Sequence, residues 1–101
     1  MSKYKIKILQ IAREEIVEIY FYIAADNPQS ALATTDKITD KIDMLAELPI
    51  IGKIVPDNEL AKQDYRMLII DNYIAFYKVI DDEVVVYRVL HGMRDYPDFL
   101  K

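Results

Sequence analysis

The stretch YRMLIIDNYIAFYKVIDDEVVVYRVL, residues 65–90, decides the fold. It divides into three runs, Tyr65–Ile70, Tyr73–Ile80 and Val84–Leu90, all rich in β-branched and aromatic residues. Asp71-Asn72 separates the first two by a two-residue gap, a hairpin signal. Asp81-Asp82-Glu83 separates the second pair. Val84-Val85-Val86-Tyr87 is apolar on both faces, which predicts a central strand. The last third of the chain therefore reads as a β-meander.

Upstream the pattern changes period twice. Tyr4-Lys5-Ile6-Lys7-Ile8 alternates apolar and charged residues, so a strand begins there and is expected to run on toward Ile11. From Ala12, the residues Ile16, Ile19, Tyr20 and Ile23 follow at helical steps. Glu14, Glu15 and Glu18 lie on the other side, where early acids suit the positive end of a helix dipole. Val17, Phe21 and Ala24 form a second apolar stripe, which is either more core or a surface shown to a partner. Asp26-Asn27-Pro28 breaks this helix, with Asn27 the expected cap of a second. That helix has Ala31, Ile38, Ile42, Leu45 and then Leu48 on its apolar side, and Leu48-Pro49 ends it. The short break predicts two adjacent antiparallel helices. Gly52 to Asp64, with Pro56 and Asp57-Asn58, reads as a loop. The expected architecture is α+β in the order β-α-α-β-β-β: one largely antiparallel sheet packed against an N-terminal helical hairpin.

Composition narrows the function. The 101 residues fit a single domain over 1–101. No apolar run approaches the roughly 20 residues needed to span a bilayer, and no signal-peptide pattern opens the chain, so a cytoplasmic protein with no membrane association is expected. Cysteine is absent, which excludes disulfides, thiolate zinc sites and cysteine nucleophiles. One histidine leaves no expected metal site, and the two glycines make no phosphate-binding loop, so no cofactor is expected. Net charge is −4, shared evenly between the halves around Gly52. Direct nucleic-acid binding is not expected, because such affinity rests on Lys and Arg neutralising phosphates.

The residues able to do chemistry or binding are few. His91, Arg94 and Tyr96 follow the last strand and could supply acid–base and anion-stabilising groups. Tyrosine occurs eight times, and Tyr65, Tyr73, Tyr77 and Tyr87 fall on predicted strands. Tyrosines on a sheet most often simply pack, with their hydroxyls at the rim; the other reading is that with Arg66 and Arg88 they make a tyrosine–arginine face on its open side.

The chain resembles the RelE/ParE superfamily of toxins from type II toxin–antitoxin modules, the plasmid-stabilisation or addiction systems. The resemblance covers essentially the whole length. It is carried by Ile19-Tyr20-x-Tyr22-Ile23-Ala24-x-Asp26-Asn27-Pro28 with Ala31, by Leu45-x-x-Leu48-Pro49-x-x-Gly52-Lys53, and by Tyr65-Arg66-x-Leu68. Tyr73-Ile74-x-Phe76-Tyr77-x-Val79 and Val86-x-Arg88-Val89-Leu90-His91-Gly92-x-Arg94-Asp95 complete it. The Leu-Pro-x-x-Gly and His-Gly-x-Arg-Asp pieces are similar to the ParE branch in particular.

This resemblance implies one of two mechanisms. RelE-like members cut messenger RNA on the ribosome, using basic residues on the open sheet face. ParE-like members inhibit DNA gyrase by protein contact. Where the nucleases carry an arginine early on the middle strand, this chain has Ile74. Of two alternating basic positions on the preceding strand, Arg66 keeps its charge and Leu68 does not. Arg94 is kept, and the position of a C-terminal catalytic tyrosine falls near Leu100, with Tyr96 close by. Isoleucine cannot replace an arginine's charged, bidentate grip on phosphate. The resemblance thus implies a gyrase-directed toxin held by a cognate antitoxin. Candidate antitoxin or target contacts are Val17, Phe21, Arg66, Tyr73, Tyr77, Arg88 and Arg94. The alternative is a ribonuclease using Arg66, His91 and Arg94, which requires those groups to converge on one face. A third reading is an attenuated homologue that only binds antitoxin.

Overall fold

The computed structural model describes residues 3–92. The elements follow in the order β1 (Lys5–Ile8), α1 (Gln10–Ala24), α2 (Pro28–Asp43), a 3-10 turn (Met44–Ala46) and β2 (Lys53–Ile54). Then come α3 (Asn58–Lys62), β3 (Arg66–Ile70), β4 (Tyr73–Ile80) and β5 (Glu83–His91). The five strands form one sheet in the order β1-β5-β4-β3-β2, antiparallel except for the β1–β5 pair. This is the expected α+β arrangement with one added edge strand. No helix among the described residues is long and apolar enough to cross a membrane.

Local chemistry explains the elements. Both hairpins close with two-residue turns, Ile70 pairing with Tyr73 and Ile80 with Glu83. The first turn residue is left-handed in each, Asp71 at φ 54° and Asp81 at φ 55°. Aspartate visits that region more readily than most residues. Glu83 therefore belongs to the strand and not to the turn. At the head of α2 the Asn27 carboxamide oxygen accepts from the Ser30 N–H at 3.1 Å, and Pro28 takes the first helical position.

Three expectations are corrected. The first strand ends at Ile8, and the helix starts at Gln10. Leu9 donates its N–H to Val86 and the chain turns there, so Glu14 and Glu15 miss the first helical turn. The 52–64 segment is not a plain loop. It holds β2 and α3, the latter capped by Asp57, whose carboxylate accepts from Leu60 N–H at 3.0 Å. Leu48 does not extend the buried side of α2 but is half-exposed, because the 3-10 turn rotates the chain after Leu45.

The main core fills the space between the helices and one sheet face. It joins Ala12, Ile19, Ile38, Ile42 and Leu45 to Leu68, Ala75, Tyr77, Val84, Val86 and Val89. A smaller cluster on the opposite face joins Val55, Phe76 and Leu90 with Leu60, Tyr65, Met67 and Ile74. β5, flanked by β1 and β4, is interior as its apolar run predicts, and Val84, Val85 and Val86 are all buried. A bulge interrupts its pairing: Tyr77 faces Val86 while Phe76 faces Arg88, leaving Tyr87 as the extra residue.

Candidate functional site

Two corners of the sheet hold the arginines that the sequence singles out. At the β2 corner, the Arg66 guanidinium donates to the carbonyl of Gly52 at 2.9 Å and of Ile50 at 3.4 Å. The Gly52 N–H donates to the Tyr77 hydroxyl at 2.9 Å. Tyr77 is fully buried, and its phenol is held above the ordinary range by burial, which outweighs the opposing pull of the Gly52 N–H and of Arg66. A Cβ on residue 52 would lie 2.5 Å from the Tyr77 hydroxyl and 2.8 Å from the Met67 carbonyl, so only glycine fits. This knot holds a segment whose Leu48, Ile50, Ile51 and Ile54 are all half-exposed or more.

At the opposite corner β1 has ended, and the edge of β5 would be bare. Glu15 of α1 fills the gap. Its carboxylate accepts from Arg88 Nε at 3.1 Å, from Arg88 Nη2 at 2.7 Å and from the Val89 N–H at 3.0 Å. The Glu15 side chain is only 13% exposed, so this is a partly buried, bidentate clasp between helix and sheet. His91 stands beyond it, edge-on to Tyr73 at 5.5 Å between ring centroids. Glu15, Glu18, Tyr22, Tyr73 and His91 line a shallow cleft there.

Two of the three candidate ribonuclease groups, Arg66 and His91, stand apart. Arg66 pairs in register with Tyr77, and His91 pairs with Tyr73. Four residues along β4 and two strand spacings across it put their Cα atoms roughly 17 Å apart. Arg94, the third member, lies outside the described residues, as do Tyr96 and Leu100. Among the described residues no group of three His, Cys, Asp or Glu side chains could hold a metal ion.

The residues of a tyrosine–arginine face are divided between the two sides of the sheet, and packing accounts for two of the tyrosines. Tyr73 and Tyr77 belong to the helix-side core, because they share parity with Ala75. Tyr77 has no exposed surface and is not a contact for a partner. Arg66 and Arg88 are engaged as described. The open face instead carries Tyr65 and Tyr87, edge-to-face at 5.3 Å, with the Lys78 ammonium 4.4 Å from the Tyr65 ring centre. The Tyr65 phenol is held above its usual range, first by burial and then by Tyr87. On α1, Val17 is 52% and Phe21 65% exposed, so the second apolar stripe is surface and not core. Sequence reading missed Glu15, which carries no spacing signal, and Lys78, which is one lysine inside an apolar strand.

The family described as ParE toxin of type II toxin-antitoxin system, parDE, matches residues 6–96. The chain belongs to the ParE toxin family. Solved structures agree with this ParE assignment at the level of fold. A chain of the chromosomal ParDE toxin–antitoxin system from P. aeruginosa superposes with a TM-score of 0.72 at 20% identity, covering 88% of this chain and 96% of that one. A chain of the toxin–antitoxin complex RelBE2 from Mycobacterium tuberculosis superposes at 0.64 with 22% identity, covering 88% and 98%. No curated protein sequence matches the chain significantly. This ParE chain is thus a toxin of a type II toxin–antitoxin system with the fold shared by ParE and RelE toxins.

Proposed function

We propose that this ParE-family toxin acts in the cytoplasm by binding a protein target, DNA gyrase, and does not cut RNA. The observation that carries the reading is the position of Arg66 and His91 two strands apart and four residues along, their Cα atoms roughly 17 Å from each other, with the Arg66 guanidinium turned to the Ile50 and Gly52 carbonyls. A nuclease needs its base and its phosphate ligands within hydrogen-bond reach of one scissile bond. Arg66 is moreover spent on two backbone carbonyls, and Arg88 on Glu15. The exposed Val17 and Phe21 supply an apolar surface of the kind that a partner helix covers. Both solved structures are of toxin–antitoxin systems, which supports a cognate antitoxin as the partner that holds this chain inactive. Such a pair forms a plasmid-stabilising module.

The test is a pulse-labelling time course. The gene is induced without antitoxin in a bacterial host, and labelled thymidine and methionine incorporation are followed. Thymidine incorporation falls first under this reading, and purified chain then inhibits gyrase supercoiling. If methionine incorporation collapses first, the gyrase reading fails and His91, Arg66 and Arg94 return as nuclease candidates. If neither changes while the protein accumulates, an attenuated homologue replaces both.

A further inference from the structure

Residues 48–54 read LPIIGKI, and Leu48, Ile50, Ile51 and Ile54 among them are each half-exposed or more. The Ile51 N–H donates to the Leu48 carbonyl at 3.2 Å, a turn that gathers the first three side chains. Ile50 and Ile54 line one cleft with Ala61 and Val79, so the fourth joins them. Their exposed surface comes to roughly 400 Å², the size of the largest apolar patch on a typical monomer, which is often a functional one. The patch is held rigidly. Arg66 grips the carbonyls of Ile50 and Gly52, and the Tyr77 hydroxyl takes the Gly52 N–H. A surface already ordered in the free chain loses little freedom on binding.

Two features make this patch complementary to itself. The first is charge. Residues 48–52 carry none, and the flanking charges are of both signs, Glu47 and Lys53 in sequence and Asp64 across the cleft. The exposed stripe on α1 differs: Val17 and Phe21 stand beside exposed Glu14 and Glu18, and Arg13 there is turned back to the Ile8 carbonyl. A copy laid on that stripe would bring acids together. The second feature is the strand edge. The Val55 N–H donates to the Tyr65 carbonyl at 3.3 Å, so in the antiparallel ladder Ile54 turns its own N–H and carbonyl away from β3. β2 ends the sheet, so those groups point off its edge.

We propose that a second copy of this chain docks here, the two copies related by a two-fold axis beside Ile54. Two β2 edges run antiparallel across such an axis and exchange the Ile54 N–H and carbonyl, with the Ile54 Cα atoms about 5.5 Å apart. The ladder stops at that step. The next pair would be Gly52 with Pro56 of the second copy, but Tyr77 and Arg66 already engage Gly52, and proline has no N–H. A short edge with a lysine and a proline is a guard against open-ended pairing, and a closed two-fold pair is what it still allows. A standard interface takes about 800 Å² from each partner. The four side chains provide roughly half of that. Met44, exposed and one turn from Leu48, and Lys53 extend the contact. The dimer is therefore a weak one, with a dissociation constant on the order of 10 µM. The inference does not depend on gyrase being the target.

The experiment is sedimentation velocity on the purified full chain, from about 1 to 300 µM. The mass should rise with concentration from 11.8 kDa toward twice that value. Ile50→Glu and Ile54→Glu should each raise the dissociation constant by roughly tenfold or more, because each buries a charge in an apolar contact. Phe21→Glu on α1, as exposed and with the same change in net charge, should alter it less than about twofold. Mixing Ile54→Glu with Ile54→Lys should restore the dimer that neither forms alone, since opposite charges then meet across the axis. Ile54→Ser shifts the constant in the same direction if the charged variants disturb folding. A chain monomeric to the top of the concentration range, equal weakening by Phe21→Glu, or no recovery in the mixture would each overturn the proposal. So would a monomeric parent whose Ile50→Glu variant escapes the antitoxin, which makes the patch an antitoxin contact instead.

Discussion

Two arginines sit at opposite corners of one sheet and are satisfied in opposite ways. Arg66 gives its hydrogen bonds to neutral backbone carbonyls at Ile50 and Gly52. Arg88 gives its own to the carboxylate of Glu15. The first holds a loop in place, together with a buried tyrosine. The second joins a helix to a strand whose neighbour has run out. An arginine on a toxin sheet is thus not by itself evidence of phosphate chemistry. What it faces decides its role, and here both face groups of the protein itself.

Breaking the Arg66 corner should have the largest effect. Gly52→Ala drives a methyl group into Tyr77 and the Met67 carbonyl. We expect a loss of about 3 kcal/mol, since overpacking a closed site with no room to shift typically costs 1–3 kcal/mol or more. Urea denaturation checks this, and an unchanged midpoint would mean the corner is soft. The Arg88 corner comes next. Glu15→Ala leaves Arg88 and the Val89 N–H without the carboxylate. About 2 kcal/mol should be lost, a figure moderated because Arg88 is 32% exposed. Hydrogen exchange at Val89 separates the two corners: it should rise in Glu15→Ala and stay protected in a Gly52 variant of equal stability.

A subtler change sharpens the comparison. Tyr77→Phe keeps the volume but leaves the Gly52 N–H unpaired, for a loss of about 1 kcal/mol at neutral pH. Its pH dependence is more telling. Burial raises the Tyr77 pKa in the folded state, so the folded chain holds that proton more tightly than the unfolded chain. The stabilisation is complete below the unfolded value near 10 and falls as pH rises toward the folded value. Denaturation at pH 9 to 11 should therefore show a shallower alkaline loss in Tyr77→Phe than in the parent. The smallest stability effect belongs to Phe21→Ser on α1, within about 0.5 kcal/mol, because the ring is already mostly exposed. Growth inhibition, or its relief by antitoxin, should nevertheless change if this stripe is a contact. Unaltered behaviour in both assays would remove Phe21 from the candidates.

Much of this was legible in the residues. The alternation in 4–8, the helical stripes of Ala12 to Ile23 and Ala31 to Leu45, and the two aspartate turns define both helices and four of the five strands. Asn27-Pro28 marks the head of α2 without ambiguity, because cap and proline signals are local. β2 and α3 were not legible: a two-residue strand has no period, and Asp57 capping α3 looks the same as Asp57 in a turn. The residues alone do not say which face Tyr73 and Tyr77 take, because both are polar-tipped aromatics that suit either side of a sheet.

The sequence by itself determined the two long helices, four of the five strands, their order and the family pattern, since these rest on local propensity, periodicity and spacing. Tertiary structure alone decided that β1 lies parallel beside β5, that Glu15 meets Arg88 across 73 positions, and that Arg66 and His91 stand apart. Those facts depend on strand order and register, and pairing between distant segments is fixed by the packing of the whole core and not by any stretch of the chain.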